Sequence, residues 1–252
     1  MRRFSFAVMV FMCFNCTVLL LASYGSAQTI LFDDSHDGNG DELSGNLSSF
    51  ASLLSNNGIN IVEFDGSPGD LTSTVLASAD ALFIHDVELA YTSAEISAIN
   101  EFVINGGGLF ISGNAPANFN QAANNALMSN FGIAFNEAIS PEDTITFASH
   151  PLVDGLSQIT GDGVARISIT GSAQLVGFNS AGVGTIAVRD SVNGSGRVVA
   201  AGDGAPLLNS FIGQFDNSEW ALRAAQYVVI PEPATILLLM GIPPWVVRFR
   251  AR

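Results

Sequence analysis

Short apolar runs alternate with amphipathic segments through the first half of the chain, and this alternation constrains the fold more than any other feature. Runs typical of strands occupy residues 29–33, 59–64, 81–85 and 109–112. Helical patterns follow at residues 43–57 and from residue 92 onward. Strands that alternate with helices form parallel sheets with right-handed crossovers. We therefore expect an α/β fold, with a largely parallel sheet flanked by helices on both faces.

Both predicted helices have recognisable ends. The first presents one apolar face, formed by Leu43, Leu47, Phe50 and Leu54. Gly58 is positioned to end it. The second begins with a Thr-Ser-Ala-Glu capping box at residues 92–95 and ends at three glycines, 106–108.

The second half of the chain contains mainly strand patterns. Further strand patterns are found at residues 145–147, 164–169, 174–178, 184–188 and 197–201, and a final helix is predicted at about residues 217–229. We expect one α/β domain over residues 28–230, with a β-rich second half. Pro231 marks its boundary, because proline stops the preceding helix.

The two ends of the chain carry export signals. Arg2 and Arg3 precede an apolar stretch and a Gly-Ser-Ala site at residues 25–27, which predicts a secretory signal peptide over residues 1–27. At the other end, residues 231–252 contain an apolar run at 234–247 followed by three arginines. Such arginines stay on the cytoplasmic side of a membrane, which would leave the domain outside.

This tail resembles the sorting signal of PEP-CTERM proteins. The resemblance rests on Pro231, Glu232, Pro233, the apolar run, and Arg248, Arg250 and Arg252. It implies export by a Gram-negative bacterium, processing by an exosortase-type enzyme, at least transient membrane contact, and a place in the cell envelope or extracellular matrix. The apolar run is short for a spanning helix, and Pro243-Pro244 would kink it. The alternative is a C-terminal helix that packs on its own domain.

Charge excludes one class of partner. The chain has no lysine, and residues 28–230 keep four arginines, whereas Glu232 is the only one of the 23 carboxylates outside that range. Such a surface repels phosphate backbones, so we expect no nucleic-acid binding. It could attract cations, or it could simply keep an exported protein soluble. Cys13 and Cys16 both lie in the signal peptide, which excludes cysteine chemistry in the mature domain.

Residues 29–113 resemble the glutamine-amidotransferase-like, flavodoxin-like domains of unknown function found in many exported bacterial proteins. The resemblance is carried by residues 33–36, 79–84 and 106–112, and later by residues 150–155 and 202–203. It implies a class I amidotransferase-like sheet, in which Ser112 stands where the nucleophilic cysteine would be. No late His-x-Glu pair follows, so glutaminase activity is not expected. The alternative for Ser112 is a small residue that permits the turn at residues 113–114.

Parallel sheets place ligands beyond the carboxyl ends of their strands. The candidates for catalysis there are His36, His85, Asp86 and Ser112, and those for a divalent cation are Asp33, Asp34, His36, Asp86 and Asp203. Asp and Asn at strand ends also commonly cap turns, and a histidine there is often only hydrogen-bonded. The acidic run at residues 33–42 suggests a calcium loop, but Ser44 occupies the twelfth position, where an EF-hand needs glutamate.

Three functions remain open. The sequence favours a non-catalytic module that binds a glycan or an envelope protein, with no resident cofactor. Trp220 and Tyr91 are then the candidates for sugar stacking, although Trp220 lies in a helical pattern typical of core packing. The second is a divalent-metal hydrolase built on Asp33, His36, His85, Asp86 and Asp203. The third is a purely structural surface domain.

Overall fold

A computed structural model describes residues 28–36, 40–115, 120–140, 142–193 and 196–229. The predicted signal peptide, the tail residues Pro231, Glu232, Pro233, Arg248, Arg250 and Arg252, and the middle of the acidic run lie outside these residues. Within them, no helix combines the length and apolar character needed to cross a bilayer.

Ten strands and five α-helices follow one another along the described chain. The strands are β1 (Gln28–Asp33), β2 (Ile59–Phe64), β3 (Ala81–Ile84), β4 (Gly108–Ser112), β5 (Ile133–Ala138), β6 (Thr144–Phe147), β7 (Ala165–Ile169), β8 (Gln174–Asn179), β9 (Gly184–Val192) and β10 (Gly196–Ala201). The helices are α1 (Ser48–Asn56), α2 (Ser73–Leu76), α3 (Ser93–Ile104), α4 (Gln121–Met128) and α5 (Asn217–Val229). Single 3-10 turns occupy Ser129–Phe131 and Ala205–Leu207.

Eight of the strands form one sheet, in the order β2-β1-β3-β4-β10-β9-β8-β6. The first five in that order are parallel, and β9, β8 and β6 continue the sheet as antiparallel neighbours. Strands β5 and β7 pair separately. The predicted α/β fold with a largely parallel sheet is confirmed. The predicted β-rich second half is not confirmed. Its strands mainly extend the large sheet, and helices α4 and α5 also belong to the second half of the chain.

Alternate residues of each parallel strand face two separate cores. On one face Phe83 stacks on Phe110 with ring centroids 4.4 Å apart, and Trp220 of α5 packs edge-on against Phe110 at 5.9 Å. On the other face Leu82 and Ile111 meet α3 and α4. A sheet buried on both faces explains why its central strands read as continuous apolar runs. The unit from Gln28 to Glu232 is compact by itself and holds both cores.

The parallel strands give the sheet two distinct ends, which we name the amino edge and the carboxyl edge. Gln28 begins β1 at the amino edge, and its side-chain amide donates to the Val229 carbonyl at 3.3 Å. Nearby, a Cβ at Gly108 would collide with the Val228 carbonyl, so the last turn of α5 lies directly on the start of β4. Both ends of the domain therefore meet at the amino edge.

The helix starts follow the predicted chemistry. Thr92 accepts from the Glu95 amide at 3.3 Å while the Glu95 carboxylate accepts from the Thr92 amide at 2.8 Å, which completes the predicted capping box. Helix α1 begins later than predicted, at Ser48, because Glu42–Leu47 forms turns in which the Glu42 carbonyl accepts from the amides of Gly45 and Leu47.

Candidate functional site

Polar residues gather at the carboxyl edge, where four neighbouring parallel strands end. Asp33 is the last residue of β1 and Ser112 the last of β4, while His85 follows β3 directly. Asp203 lies two residues beyond the end of β10. All four side chains are buried, so this edge is a packed polar region of the molecule. Open parallel sheets bind their ligands at this edge.

The first group, the Asp33 cluster, comprises Asp33, Ser35, His36, Tyr91 and Glu95. Asp33 accepts hydrogen bonds from the Ser35 hydroxyl at 2.5 Å and from the Tyr91 hydroxyl at 2.6 Å. Its Oδ2 also lies 3.0 Å from His36 Nδ1, and the His36 ring stacks on Tyr91 with centroids 3.9 Å apart. The carboxylate thus joins the end of β1 to the loop that begins α3.

The Asp33 cluster contains serine, histidine and aspartate but not the geometry of a catalytic triad. Ser35 Oγ and Asp33 Oδ2 both approach the same nitrogen, His36 Nδ1, at 2.9 and 3.0 Å. A triad needs the two groups on opposite ring nitrogens, so that the aspartate orients the base that activates the serine. His36 Nε2 instead faces Glu95 Oε1 at 3.5 Å. The arrangement fixes the ring and does not activate Ser35.

Glu95 connects three chain segments. Burial raises the pKa of its carboxyl group, but hydrogen bonds from Thr92 and the Gly69 amide, together with nearby His36, lower that pKa below its usual value. Its Oε1 accepts from the Gly69 amide at 2.7 Å, and its Oε2 accepts from the Thr92 amide in the capping box. The cap of α3 is therefore also a link between the loop before α2 and the end of β1.

The second group, the Asp86 cluster, comprises His85, Asp86, Ser112, Asn114 and Asp203. Asp86 has a φ of 41°, in the left-handed region that non-glycine residues rarely adopt. Its amide donates to Ser112 Oγ at 3.3 Å, and its carboxyl group accepts from Asn114 at 2.8 Å. Strained residues at strand ends recur at functional sites, because the surrounding structure holds them in place.

Two carboxyl groups of this cluster bind protons unusually well. Burial raises the pKa of Asp86, and His85 and the hydrogen bond from Asn114 only partly offset that rise. Burial likewise raises the pKa of Asp203 to about 7, despite hydrogen bonds from the Ala205 and Asp162 amides. Near neutral pH, Asp203 is thus a buried acid that can exchange a proton, as a general acid or base must.

Gly204 allows this cluster to close. A Cβ there would collide with His85 Nε2 and would come within 2.9 Å of Asp86 Oδ1. The backbone after β10 therefore runs directly against the residues that follow β3. A side chain at this position would separate the two strand ends.

The predicted candidates fall into these two groups rather than around one point. The Asp33 cluster contains Asp33 and His36. The Asp86 cluster contains the other candidates, His85, Asp86, Ser112 and Asp203. Asp34 belongs to neither cluster, and its backbone amide donates to the Phe64 carbonyl at 3.0 Å. Among the residues that the structure describes, no three His, Cys, Asp or Glu side chains are grouped to hold a metal ion.

Ser112 does not present a nucleophile. Its hydroxyl is fully buried and lies 3.3 Å from Asp86 Oδ1, to which it donates. The strained backbone in this region lies at Asp86, after β3, and not at Ser112. Ser112 therefore supports the Asp86 backbone, which agrees with its interpretation as a small turn-forming residue.

In the acidic run at residues 33–42, the carboxylates of Asp41 and Glu42 accept hydrogen bonds from nearby residues. Asp41 accepts from the Asn46 amide group at 2.8 Å, and Glu42 from the Ser44 hydroxyl at 3.3 Å. Asp41 Oδ2 also lies 3.9 Å from His85 Nδ1. These contacts tie the loop to the start of α1 and to the Asp86 cluster.

Both aromatic residues predicted to stack on a sugar are buried. Trp220 has no exposed surface, and Tyr91 is 7% exposed against His36. The stacking role is therefore wrong for Tyr91, whereas Trp220 packs in the core, as its helical pattern indicated. Phe215 is instead the one exposed aromatic side chain among the described residues, at 64%, and its φ of 44° is strained. It precedes α5, and its position in a Gly-Gln-Phe-Asp loop just before a helix was the available sequence signal.

Sequence reasoning also missed the contacts that assemble the clusters. Tyr91 reaches the Asp33 cluster from the loop before α3, Glu95 reaches it from the first turn of α3, and Asn114 reaches Asp86 from the turn after β4. The capping box did identify Glu95, but only as a helix-starting residue. Its second contact, with Gly69, required the fold.

The fold and the site define an open α/β domain with two buried polar clusters at the carboxyl edge of its parallel strands. The two ends of the domain meet at the amino edge. The chain belongs to the DUF4350 family, a domain of unknown function, whose model matches residues 47–225.

Solved structures share this fold at low identity. The mmIFT52 N-terminal domain is 16% identical with a TM-score of 0.66, over 86% of this chain and 99% of that one. The cytoplasmic protein STM3548 from Salmonella typhimurium is 15% identical with a TM-score of 0.55, over 80% and 98%. A ThuA-like protein from Bacteroides uniformis is 12% identical with a TM-score of 0.53, over 79% and 90%. These likenesses show the fold alone, and no curated protein matches the chain.

Proposed function

We propose that the chain is an exported, non-catalytic binding protein of a bacterial cell envelope or extracellular matrix. Its α/β domain binds a glycan or another envelope protein, and its PEP-CTERM-like tail sorts it through an exosortase-type enzyme. The parallel part of the sheet follows the 2-1-3-4-5 order of flavodoxin-like domains. With the sequence resemblance, this order supports assignment to the amidotransferase-like group without its glutaminase activity.

The observation that carries the proposal is the opposition of the two edges. Gln28 and Val229 adjoin at the amino edge, and β1 runs six residues from there to Asp33 at the carboxyl edge. At about 3.3 Å per residue, the two edges are separated by about 17 Å. The carboxyl edge, where both polar clusters lie, is therefore remote from both ends of the domain.

Phe215 supports a binding role at the carboxyl edge. It directly precedes Asp216, which accepts from the Ser157 and Gln158 amides at 2.6 and 3.0 Å, and α5 then runs to Val229 at the amino edge. An exposed aromatic ring is a suitable platform for a sugar ring or a partner side chain. The strained backbone at Phe215 indicates that its exposure is maintained at some cost in stability.

The binding test uses residues 28–230 as a purified fragment, since this unit holds both cores. The fragment is applied to a panel of bacterial polysaccharides and, separately, to purified envelope proteins. Saturable binding to a member of either set supports the proposal. A fragment that folds and binds neither set would leave the structural surface domain as the better interpretation.

Export and sorting need a separate test in cells. The full chain is expressed in a bacterium that has the processing enzyme, and its intact mass is measured in membrane and medium fractions. We expect loss of residues 1–27 and cleavage near Pro231. An intact tail in such cells, or retention in the cytoplasm, would contradict the sorting proposal without affecting the binding test.

A further inference from the structure

A small cavity lies beside Asp203, between the start of β9, the end of β10 and helix α5. Its volume is about 20 Å³, and its walls include Thr144, Thr185, Asp203 and Trp220, with Glu142 also among the lining residues. A site of this volume is large enough for one water molecule and too small for a larger ligand. Its walls carry several polar groups, whereas cavities that stay dry are lined by apolar side chains.

Trp220, which lines this cavity, carries a buried donor. The residue is fully buried, and its Nε1 has no hydrogen-bond partner among the described residues. Indole nitrogen can only donate, so it needs an acceptor. Leaving such a group unpaired inside a protein costs about 1–3 kcal/mol. An acceptor within the cavity would remove that cost.

Two further walls complement the indole group. Thr144 donates its hydroxyl hydrogen to Thr185 Oγ1 at 2.7 Å, which leaves the Thr185 hydroxyl hydrogen available to a second acceptor. Asp203 Oδ1 accepts from the Ala205 amide at 2.9 Å and Oδ2 from the Asp162 amide at 2.5 Å. A carboxylate oxygen has capacity for more than one donor. The cavity thus offers two donors and an acceptor.

We propose that this cavity is the binding site of a single ordered water molecule that accepts from Trp220 Nε1 and donates to the Asp203 carboxyl group. Buried waters of this kind make about three hydrogen bonds to groups that would otherwise be unsatisfied. Thr185 provides the third. The proposal concerns the domain itself and holds whether or not a glycan or protein ligand is found.

The site also lies toward solvent. Glu142 is exposed and lines the same cavity, so the water would lie between the buried Asp203 and a solvent-exposed side chain.

The direct test is a crystal structure of the 28–230 fragment at about 1.5 Å resolution or better. We expect one well-ordered water within hydrogen-bonding distance of both Trp220 Nε1 and the Asp203 carboxyl group. In Trp220→Phe, which keeps an aromatic ring but removes the donor, we expect that water to be lost or displaced. A wild-type cavity with no water, or a water that contacts neither group, would overturn the proposal.

A measurement in solution needs no variant. The fragment contains one tryptophan, since Trp245 lies in the tail, so the indole N–H proton gives a single assignable NMR signal. We expect a direct cross-peak between that proton and a long-lived water. An indole proton that shows no water contact, while other buried waters are detected in the same spectrum, would contradict the assignment even if Trp220→Phe failed to fold.

Discussion

The Tyr91 hydroxyl donates to Asp33 Oδ2 at 2.6 Å, across 58 residues of sequence. This bond joins the end of β1 to the loop that begins α3, and the His36 ring packs against Tyr91 beside it. The contact holds the two segments together at the carboxyl edge.

Tyr91→Phe should therefore destabilise the domain. The substitution removes one hydrogen bond to a buried carboxyl group while the ring stays in place, which costs about 1–3 kcal/mol. Urea unfolding of the 28–230 fragment measures the change. Ser129→Ala is a suitable control, because its exposed hydroxyl only bonds the Ala126 carbonyl within its own turn. Equal stability of Tyr91→Phe and the wild type would show that the bond contributes nothing.

The same residue predicts an alkaline titration. Burial, and then the Asp33 carboxyl group, raise the pKa of Tyr91 well above its usual value. The fragment has two tyrosines, Tyr91 and Tyr227, because Tyr24 lies in the signal peptide. Ultraviolet absorbance should show that Tyr91 ionises only as the domain unfolds, a phase that Tyr91→Phe removes. Reversible ionisation of Tyr91 near pH 10 in the folded fragment would be the contrary result.

Asp203 predicts how stability changes with pH. Its pKa of about 7 in the folded state is above the unfolded value of about 3.9, so the folded state holds more protons between these limits. Stability from this group is present below about pH 4 and is lost as pH rises through about 7, by up to about 1.4 kcal/mol per pH unit. Asp203→Asn should remove that dependence, in addition to a pH-independent cost from its altered hydrogen bonds. Urea unfolding from pH 4.5 to 8 measures both, and parallel curves for variant and wild type would refute the assignment.

The two threonine caps offer a matched comparison. Thr92 forms a full capping box with Glu95, and Glu95 also accepts from Gly69, whereas Thr72 caps the short helix α2 through one bond of 3.4 Å to the Val75 amide. Thr92→Ala should cost about 1–2 kcal/mol, since the loss also disturbs the Glu95 contacts, and Thr72→Ala should cost less. Thermal or urea unfolding of the two variants measures both losses of stability. A larger loss for Thr72→Ala would mean that Glu95 holds its contacts without the cap.

Phe215 should matter only for binding. If the wild-type fragment binds a polysaccharide or an envelope protein, Phe215→Ala should weaken that binding by about tenfold, or ~1.4 kcal/mol. Stability should change little, because the side chain is 64% exposed. Ile104→Ala removes an exposed apolar side chain at the end of α3 and should leave affinity unchanged. Equal binding by all three proteins would place the ligand elsewhere on the domain.

The arrangement of the clusters also predicts the outcome of a metal titration. Because no three potential ligands are grouped among the described residues, we expect no tight binding of calcium, magnesium, manganese or zinc to the fragment by calorimetry. Tight binding that an Asp33→Ala, His85→Ala double variant abolishes would restore the hydrolase hypothesis. Binding that the double variant retains would locate the ion at another place.

Much of the fold could be predicted because the local sequence patterns agreed with the final structure. Helix α5 was predicted at residues 217–229, where an amphipathic pattern ends shortly before Pro231, and it occupies Asn217–Val229. The apolar strands and the capping box at Thr92 were equally plain. The start of α1 was misplaced, because residues 43–47 have helical spacing but form turns around the Glu42 carbonyl.

The site was only half predictable, for a physical reason. Topology alone brings Asp33, His85 and Asp203 to one edge of the sheet, and the sequence order reveals that. Which loop returns to contact them depends on tertiary packing, so the roles of Tyr91 and Glu95 could not be read from local pattern. Burial was also invisible, and Tyr91 was therefore taken for an exposed stacking residue when it is an interior hydrogen-bond donor.

The contact between Gln28 and Val229 has a consequence for engineering. Because the two ends adjoin at the amino edge, a short glycine-serine linker between them would close the domain into a ring without crossing the sheet. New ends could then be opened in an exposed turn such as the one at Gly182, between β8 and β9. A permuted protein of this kind would present its former carboxyl edge to whatever surface it was attached to.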